Sequence, residues 1–233
     1  MTRCVKPLFF VKPLLRFFFR LLYHQFAWTY DLVAALVSFN RWRDWVLSVM
    51  PFLEGSRVLE IGHGPGHLQR ALRSQGRPAV GIDASPQMGR LAKRNLRLDI
   101  QNQNTAYTSE ALAAYTQLNL TRGLAQALPF AAESFDSVVA TFPTEYFVDP
   151  QTLREVKRCL VPGGRFVVLP VALPRNRLLD WLFKTTHQRP TEALDVIRAR
   201  LEKPFAALSF QTEIQALDVP SGVLVVVIAV KQS

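Results

Sequence analysis

The chain has 233 residues, 49% of them hydrophobic and 20% charged. That composition fits one globular domain with a sizeable core and excludes a disordered chain. The formal net charge is +10, which favours an anionic partner such as nucleic acid, a membrane surface or an acidic small molecule.

The charge is uneven along the chain. No Asp or Glu precedes Asp31, whereas Arg3, Lys6, Lys12, Arg16 and Arg20 all do. The segment LFFVKPLLRFFFRLLYHQF, residues 8–26, holds six of the sixteen Phe. Its cations recur too often for a membrane span, which needs about 20 mostly apolar residues. Nor does it contain the uninterrupted apolar stretch and small-residue cleavage site of a secretory signal. A helix starting near Pro13 stacks Arg16, Arg20 and His24 four residues apart, with Leu and Phe filling most other positions. Two placements follow: in the headgroup region of a membrane, or as a cap on the domain or on a second subunit. A second helical stretch, YDLVAALVSFNRWRDWVLSVM, runs to Pro51, with Trp42, Trp45, Val46 and Val49 at helical spacing. Residues 1–50 are therefore read as N-terminal helices and 51–233 as the main domain.

After Pro51 the pattern changes. SRVLEIG reads as a buried strand, HLQRALRSQG as a helix, PAVGIDAS as a strand and PQMGRLAKRNLRL as a helix. Residues 99–118 read as an insertion, polar and then mildly helical. FDSVVATF is a third clear strand, QTLREVKRCL a helix, and VPGGRFVVLP a turn followed by a strand. Residues 175–204 are mixed and basic, a region of helix and loop. SFQTEIQAL and GVLVVVIAV close the chain as two strands. Strands alternating with helices mean an α/β fold, a mostly parallel, doubly wound sheet with helices on both faces. Two successive strands at the end imply an antiparallel pair. Cys4 and Cys159 lack metal-ligand spacing and fit a reducing compartment. Cys159 reads as a small buried apolar residue at a helix end.

The stretch VLEIGHGPGHLQRAL carries the chemistry. A buried strand ends near Glu60, and Gly62, Gly64 and Gly66 follow before a helix. Glycines there allow a sharp turn and close approach of a ligand to the main chain. The helix start offers unpaired N–H groups to an anion. Some way on, the next strand ends at Asp83, placed to accept hydrogen bonds from ribose hydroxyls. The spacing is G-x-G-x-G. The third glycine of a dinucleotide fingerprint would fall on His67, and no Gly-Lys-Ser/Thr of a phosphate-binding P-loop follows. His63 and His67 stand four apart without a third ligand, so no metal is expected.

VLEIGHGPG, VGIDASPQM, ALPFAAESFDSVVATF and EVKRCLVPGGRFVVLP occur in order between about residues 56 and 170. With these four motifs the chain resembles the class I S-adenosylmethionine-dependent methyltransferases. The resemblance implies a Rossmann-like, seven-stranded sheet with an antiparallel last pair, and S-adenosylmethionine as cofactor. It implies that Glu60 and the loop Gly62, His63, Gly64 and Gly66 hold the methionine end. Asp83 takes the ribose; Ala84 and Met88 flank ribose and adenine. GLAQALPF matches a segment that in the family more often reads G-D-A-x-x-L-P-F. Leu124 stands where the family has the acid facing the adenine amino group, which leaves backbone contacts from Leu124 and Ala125. Thr141 and Phe142 end a strand where the family lines the transfer site. Tyr30, in AWTYD, matches a Tyr-Asp pair that lies over the cofactor.

Candidate bases near the transfer site are Glu145 and Tyr146 in FPTEYF, with Tyr30, His24 and His187 further removed. HQFAWTYDLVAALVSFNRWRDW is similar to the start of quinone-biosynthesis methyltransferases, and phospholipid N-methyltransferases are a second similar group. Both imply a small hydrophobic acceptor. The expectation is a cytoplasmic enzyme, peripheral at the inner face of the membrane through residues 8–26. Two alternatives stand: a nucleic-acid methyltransferase or binding protein using the +10 charge, and a non-catalytic adapter with a degenerate cofactor site at Leu124. FPTEYF is a poor match to the Asn/Asp-Pro-Pro-Tyr signature of base methylation.

Overall fold

The computed structural model describes residues 41–77, 79–103, 119–174 and 201–232. The segment 8–26, Cys4, Tyr30 and His24, most of the expected insertion, and His187 with its surroundings lie outside the described residues.

Seven strands form one sheet: β1 Val58–Ile61, β2 Val80–Asp83, β3 Leu120–Arg122, β4 Phe135–Thr141, β5 Leu160–Pro174, β6 Phe210–Val219 and β7 Gly222–Lys231. Their spatial order is β3-β2-β1-β4-β5-β7-β6. The first five run parallel, while β7 pairs antiparallel with both β5 and β6. The helices are α1 Trp42–Leu47, α2 His67–Ser74, α3 Pro86–Gln103 and α4 Pro150–Cys159, with residues 201–206 also helical. The order reverses between β1 and β4, and in such sheets ligands bind outside the carboxyl ends of the strands at that point.

Alternation along the central strands sorts the core into two layers. Val138, Ala140, Phe166, Val168, Val227 and Ala229 face one side, where Leu153, Val156 and Cys159 of α4 and Phe205 cover them. Val139, Val167, Leu169, Val226 and Ile228 face the other, under Trp45, Val46 and Val49 and under Leu68 and Leu72 of α2. The described end of the N-terminal helical region thus belongs to the main core. The Trp45 indole N–H also donates to Ser221 Oγ at 2.7 Å, fastening α1 to the β6–β7 turn. Cys159 is fully buried, and burial pushes its thiol pKa up.

Two elements differ from the sequence reading. β3 has only three residues, and two of them are exposed. It has no apolar run to announce it. The VPGG turn is a bulge inside β5: pairing passes from Phe135↔Leu160 to Ser137↔Arg165, so β5 advances five residues while β4 advances two. Gly163 has φ +75° there, a backbone setting that favours glycine.

Candidate functional site

The β1–α2 loop is under close backbone constraints. The Gly62 N–H donates to the Ile82 carbonyl at 2.7 Å, tying the end of β1 to β2. Gly62 has φ +74°, and a Cβ there would lie 2.6 Å from the Tyr146 hydroxyl oxygen. Only glycine meets both demands. Gly66, just before α2, leaves room for α3: its missing Cβ would sit 3.3 Å from that of Ala92. Gly64 faces open space. Its N–H donates to Asp83 Oδ2 at 2.9 Å, while Asp83 Oδ1 accepts from the Ser85 N–H at 2.8 Å. One carboxylate therefore fixes the glycine loop and the lead-in to α3, and each oxygen keeps a lone pair for a ligand.

These elements open onto a cleft of about 770 Å³ at the carboxyl ends of the strands. On one wall stand Gly62, Gly64, Asp83, Ala84 and Met88; Leu124 and Ala125 form the next. Thr141, Phe142 and Tyr146 close the third. Glu60 and His63 are not on the walls. The last residues of β1 alternate, so Ile61 reaches the cleft while Glu60 turns under the loop. Glu145, next to Tyr146 in the 3-10 turn Glu145–Val148, is exposed and off the wall. Tyr30 lies outside the described residues. Sequence reasoning missed Arg122, Gly123 and Gln126, because the strand that delivers them was not visible as a strand.

The groups under the loop are tightly buried. Glu60 is 1% exposed and accepts from Gln69 Nε2 at 2.8 Å. Burial pushes its pKa up to about 8, opposed by the Gln69 hydrogen bond and reinforced by the nearby Asp83 charge. Its carboxyl is therefore largely neutral at pH 7. His63 is also buried, and burial depresses its pKa against the opposing pull of Asp83. Its Nδ1 is 2.8 Å from the Gly64 carbonyl oxygen, so the neutral ring carries its proton on Nδ1. Nε2 is left buried without a partner among the described residues.

The segment bearing Leu124 and Ala125 is held from α4. Asp149, which caps α4 by accepting from the Gln151 N–H, also accepts from Gln126 Nε2 at 3.1 Å. The Glu155 carboxylate accepts from the Leu128 N–H at 2.9 Å, and Arg158 donates to the Leu128 and Phe130 carbonyls. Leu124 is 58% exposed at the cleft, an unusual setting for a large apolar side chain. Opposite it, Phe142 has φ +48°, a strain of roughly 1–2 kcal/mol for a non-glycine residue. Its N–H donates to Leu169 O at 2.7 Å, and its ring stacks on Trp42 with centroids 4.0 Å apart. Such strain persists only where the surrounding contacts hold it.

Two stability outcomes follow. Gly62→Ala should destabilise the fold by about 2–4 kcal/mol in chemical denaturation, from positive φ plus collision with the Tyr146 hydroxyl. Adding Tyr146→Phe should recover part of that loss, since the next Tyr146 atom is 3.7 Å away; strictly additive losses would contradict the contact. For Glu60 the folded pKa lies above the unfolded one, so the native state holds the extra proton. Its stabilising share is full below about pH 4.5 and is lost as pH rises to about 8. Glu60→Gln, which keeps an acceptor for Gln69, should flatten the fall in melting temperature across that window. Parallel pH profiles for the two proteins would refute the assignment.

The family comparisons agree with this geometry. The profile of a methyltransferase domain family matches residues 59–168. The chain is 30% identical over 174 residues to the demethylmenaquinone methyltransferase of Thermus thermophilus, covering 72% of each protein. It is 32% identical over 168 residues to the 2-phytyl-1,4-naphtoquinone methyltransferase of Thermosynechococcus vestitus, covering 68% of this chain and 67% of that one. A ubiquinone/menaquinone biosynthesis C-methyltransferase of Geobacter sulfurreducens is 30% identical over 169 residues, and the chain spans 61% of its length. Among solved structures, the YcgJ protein of Bacillus subtilis superposes with TM-score 0.52 at 18% identity, covering 81% of this chain and 98% of that chain. Phosphoethanolamine N-methyltransferase 2 of Haemonchus contortus, solved with S-adenosyl-L-methionine, gives 0.53 at 15% identity, covering 82% and 52%. These two share the fold. With relatives matched at 30% and 32% identity over 72% and 67% of their lengths, the chain belongs to the class I S-adenosylmethionine-dependent methyltransferase family.

Proposed function

We propose that this protein transfers a methyl group from S-adenosylmethionine to a hydrophobic, quinone-type ring acceptor at a membrane surface. The observation that carries the reading is the asymmetry of the cleft. Its β1–β2 side offers backbone and the Asp83 carboxylate, whereas its β4 side offers Phe142, Pro143 and Tyr146. The first suits a nucleoside with an amino-acid tail, the second a flat apolar ring. Relatives named for demethylmenaquinone and for a phytyl naphthoquinone support an acceptor of that class.

The residues fit the cofactor. The Gly64 side of the loop is open, and the Asp83 oxygens retain lone pairs for ribose hydroxyls. Ala84, Met88, Leu124 and Ala125 would flank the base, with the Gly62–Gly66 loop at the methionine end. Bound there, S-adenosylmethionine supplies an electrophilic methyl group. The chain's own part is to align the acceptor and keep water out. Tyr146 donates its hydroxyl proton to the Ile61 carbonyl at 3.2 Å, and its side chain lines the β4 side of the cleft. It is the first candidate to hold the acceptor's proton in line. Glu145 and Tyr30 are the further candidates. The membrane half rests on the basic, Phe-rich residues 8–26; among the described residues no helix is long and apolar enough to cross a membrane.

The direct test incubates the protein with methyl-labelled S-adenosylmethionine and a source-cell lysate, then extracts into organic solvent. Label in the organic phase, lost with Asp83→Ala, is the expected result. Label confined to the aqueous phase, in RNA or a small polar product, would overturn the acceptor class. Leu124→Asp, which restores the acid at the adenine position, should tighten S-adenosylhomocysteine binding by roughly tenfold in calorimetry, the scale of one hydrogen bond. Unchanged affinity would mean that the base does not lie against Leu124.

A further inference from the structure

The outer face of α3 carries an unbalanced charge. Arg90, Lys93, Arg94 and Arg97 are all exposed and recur at i, i+3, i+4 and i+7, which places them on one side of the helix. Among the described residues none of the four is ion-paired. The helix sequence PQMGRLAKRNLRLDIQNQ contains a single acid, Asp99, beyond the last of them. Beside the cations stands Leu98, 47% exposed, and these five residues together line a shallow depression. The opposite side of α3 is the structural one: Met88, Ala92 and Leu96 are buried, and Ala92 and Leu96 pack against Gly66. Nothing in the fold therefore requires the outer cations. Four like charges within about 10 Å of helix also repel one another.

We propose that this face of α3 is an electrostatic docking surface for anionic phospholipid. Charge complementarity points to an anionic partner, and the exposed leucine selects among such partners. An apolar side chain amid cations gains by entering the headgroup boundary, but gains nothing against a phosphate backbone. The face also has no aromatic residue on which a base could stack. The stripe starts one turn beyond Gln87 and Met88, which line the cleft. A bilayer held by α3 therefore lies beside the cleft rim. The inference rests on the membrane half of the proposed function, but it uses different residues from 8–26.

The test measures partition of the full chain onto phosphatidylcholine vesicles with and without phosphatidylglycerol. Four proteins are compared: the unsubstituted chain, the α3 variant Arg90→Gln/Lys93→Gln/Arg94→Gln/Arg97→Gln, the segment variant Lys12→Gln/Arg16→Gln/Arg20→Gln, and both combined. Glutamine keeps the helix propensity of the cations it replaces. An unchanged melting temperature and unchanged S-adenosylhomocysteine affinity certify the fold. The α3 variant should lose about a hundredfold or more of its binding to anionic vesicles, with little change on neutral ones. Binding lost only in the segment variant would overturn the α3 surface and leave the membrane reading standing. No preference of the unsubstituted chain for anionic vesicles would overturn the docking surface, while organic-phase methyl transfer still judges the acceptor. Loss of salt-sensitive RNA retention in the α3 variant, with vesicle binding intact, would assign the face to nucleic acid and overturn the proposal.

Discussion

The site depends first on one carboxylate. Asp83 sits at the end of β2 and holds two backbone N–H groups, one from the glycine loop after β1 and one from the residue before α3. Without that bridge the loop would have to be ordered by the ligand at the moment of binding, at a cost in conformational entropy. The parallel pairing of β1 with β2 puts the two strand ends side by side, so the sheet's register is what allows one side chain to reach both. The buried Glu60 under the same loop is the counterpart below. A neutral carboxyl there avoids placing a buried charge beside Asp83.

The opposite wall is built by a different means. Phe142 is forced into a left-handed backbone conformation and kept there by Leu169 on one side and Trp42 on the other. Trp45 lies near the same ring, with centroids 6.4 Å apart, and is itself fastened to Ser221. The wall thus draws on α1, β4, β5 and the β6–β7 turn. Polar pre-organisation on the nucleoside side and aromatic packing on the acceptor side separate two recognition tasks within one cleft.

Much of this is legible in the sequence. Apolar runs and punctuating glycines marked β1, β2, β4, β5 and β7 because their central residues are buried, and burial is what hydrophobic pattern records; β6, in which Phe210 alone is buried, showed itself by alternation. β3 escaped because an edge strand of three residues needs no apolar run. The bulge in β5 read as a turn because Pro162, Gly163 and Gly164 serve both purposes. At the site, residues on strand ends were found by motif. The direction of their side chains was not, since Glu60 and Ile61 are neighbours in sequence and differ only by which side of the sheet they face. The role of Arg158 and Glu155 in holding the Leu124 segment carries no local signal at all, because the contact joins residues about 30 apart.

The place of β7 has a consequence for how the protein comes to be folded. β7 follows every other strand in the chain, yet it lies between β5 and β6. While a ribosome is still making it, β5 has an open edge, and β6 has no neighbour on which to form. The two last strands are joined by a tight turn at Pro220 and Ser221, so they can meet first as a hairpin and then add to β5 as a unit. The five parallel strands must wait with that edge uncovered. Chaperone binding to nascent chains would concentrate there, on Val167, Val168 and Leu169, residues that are fully buried once synthesis is complete.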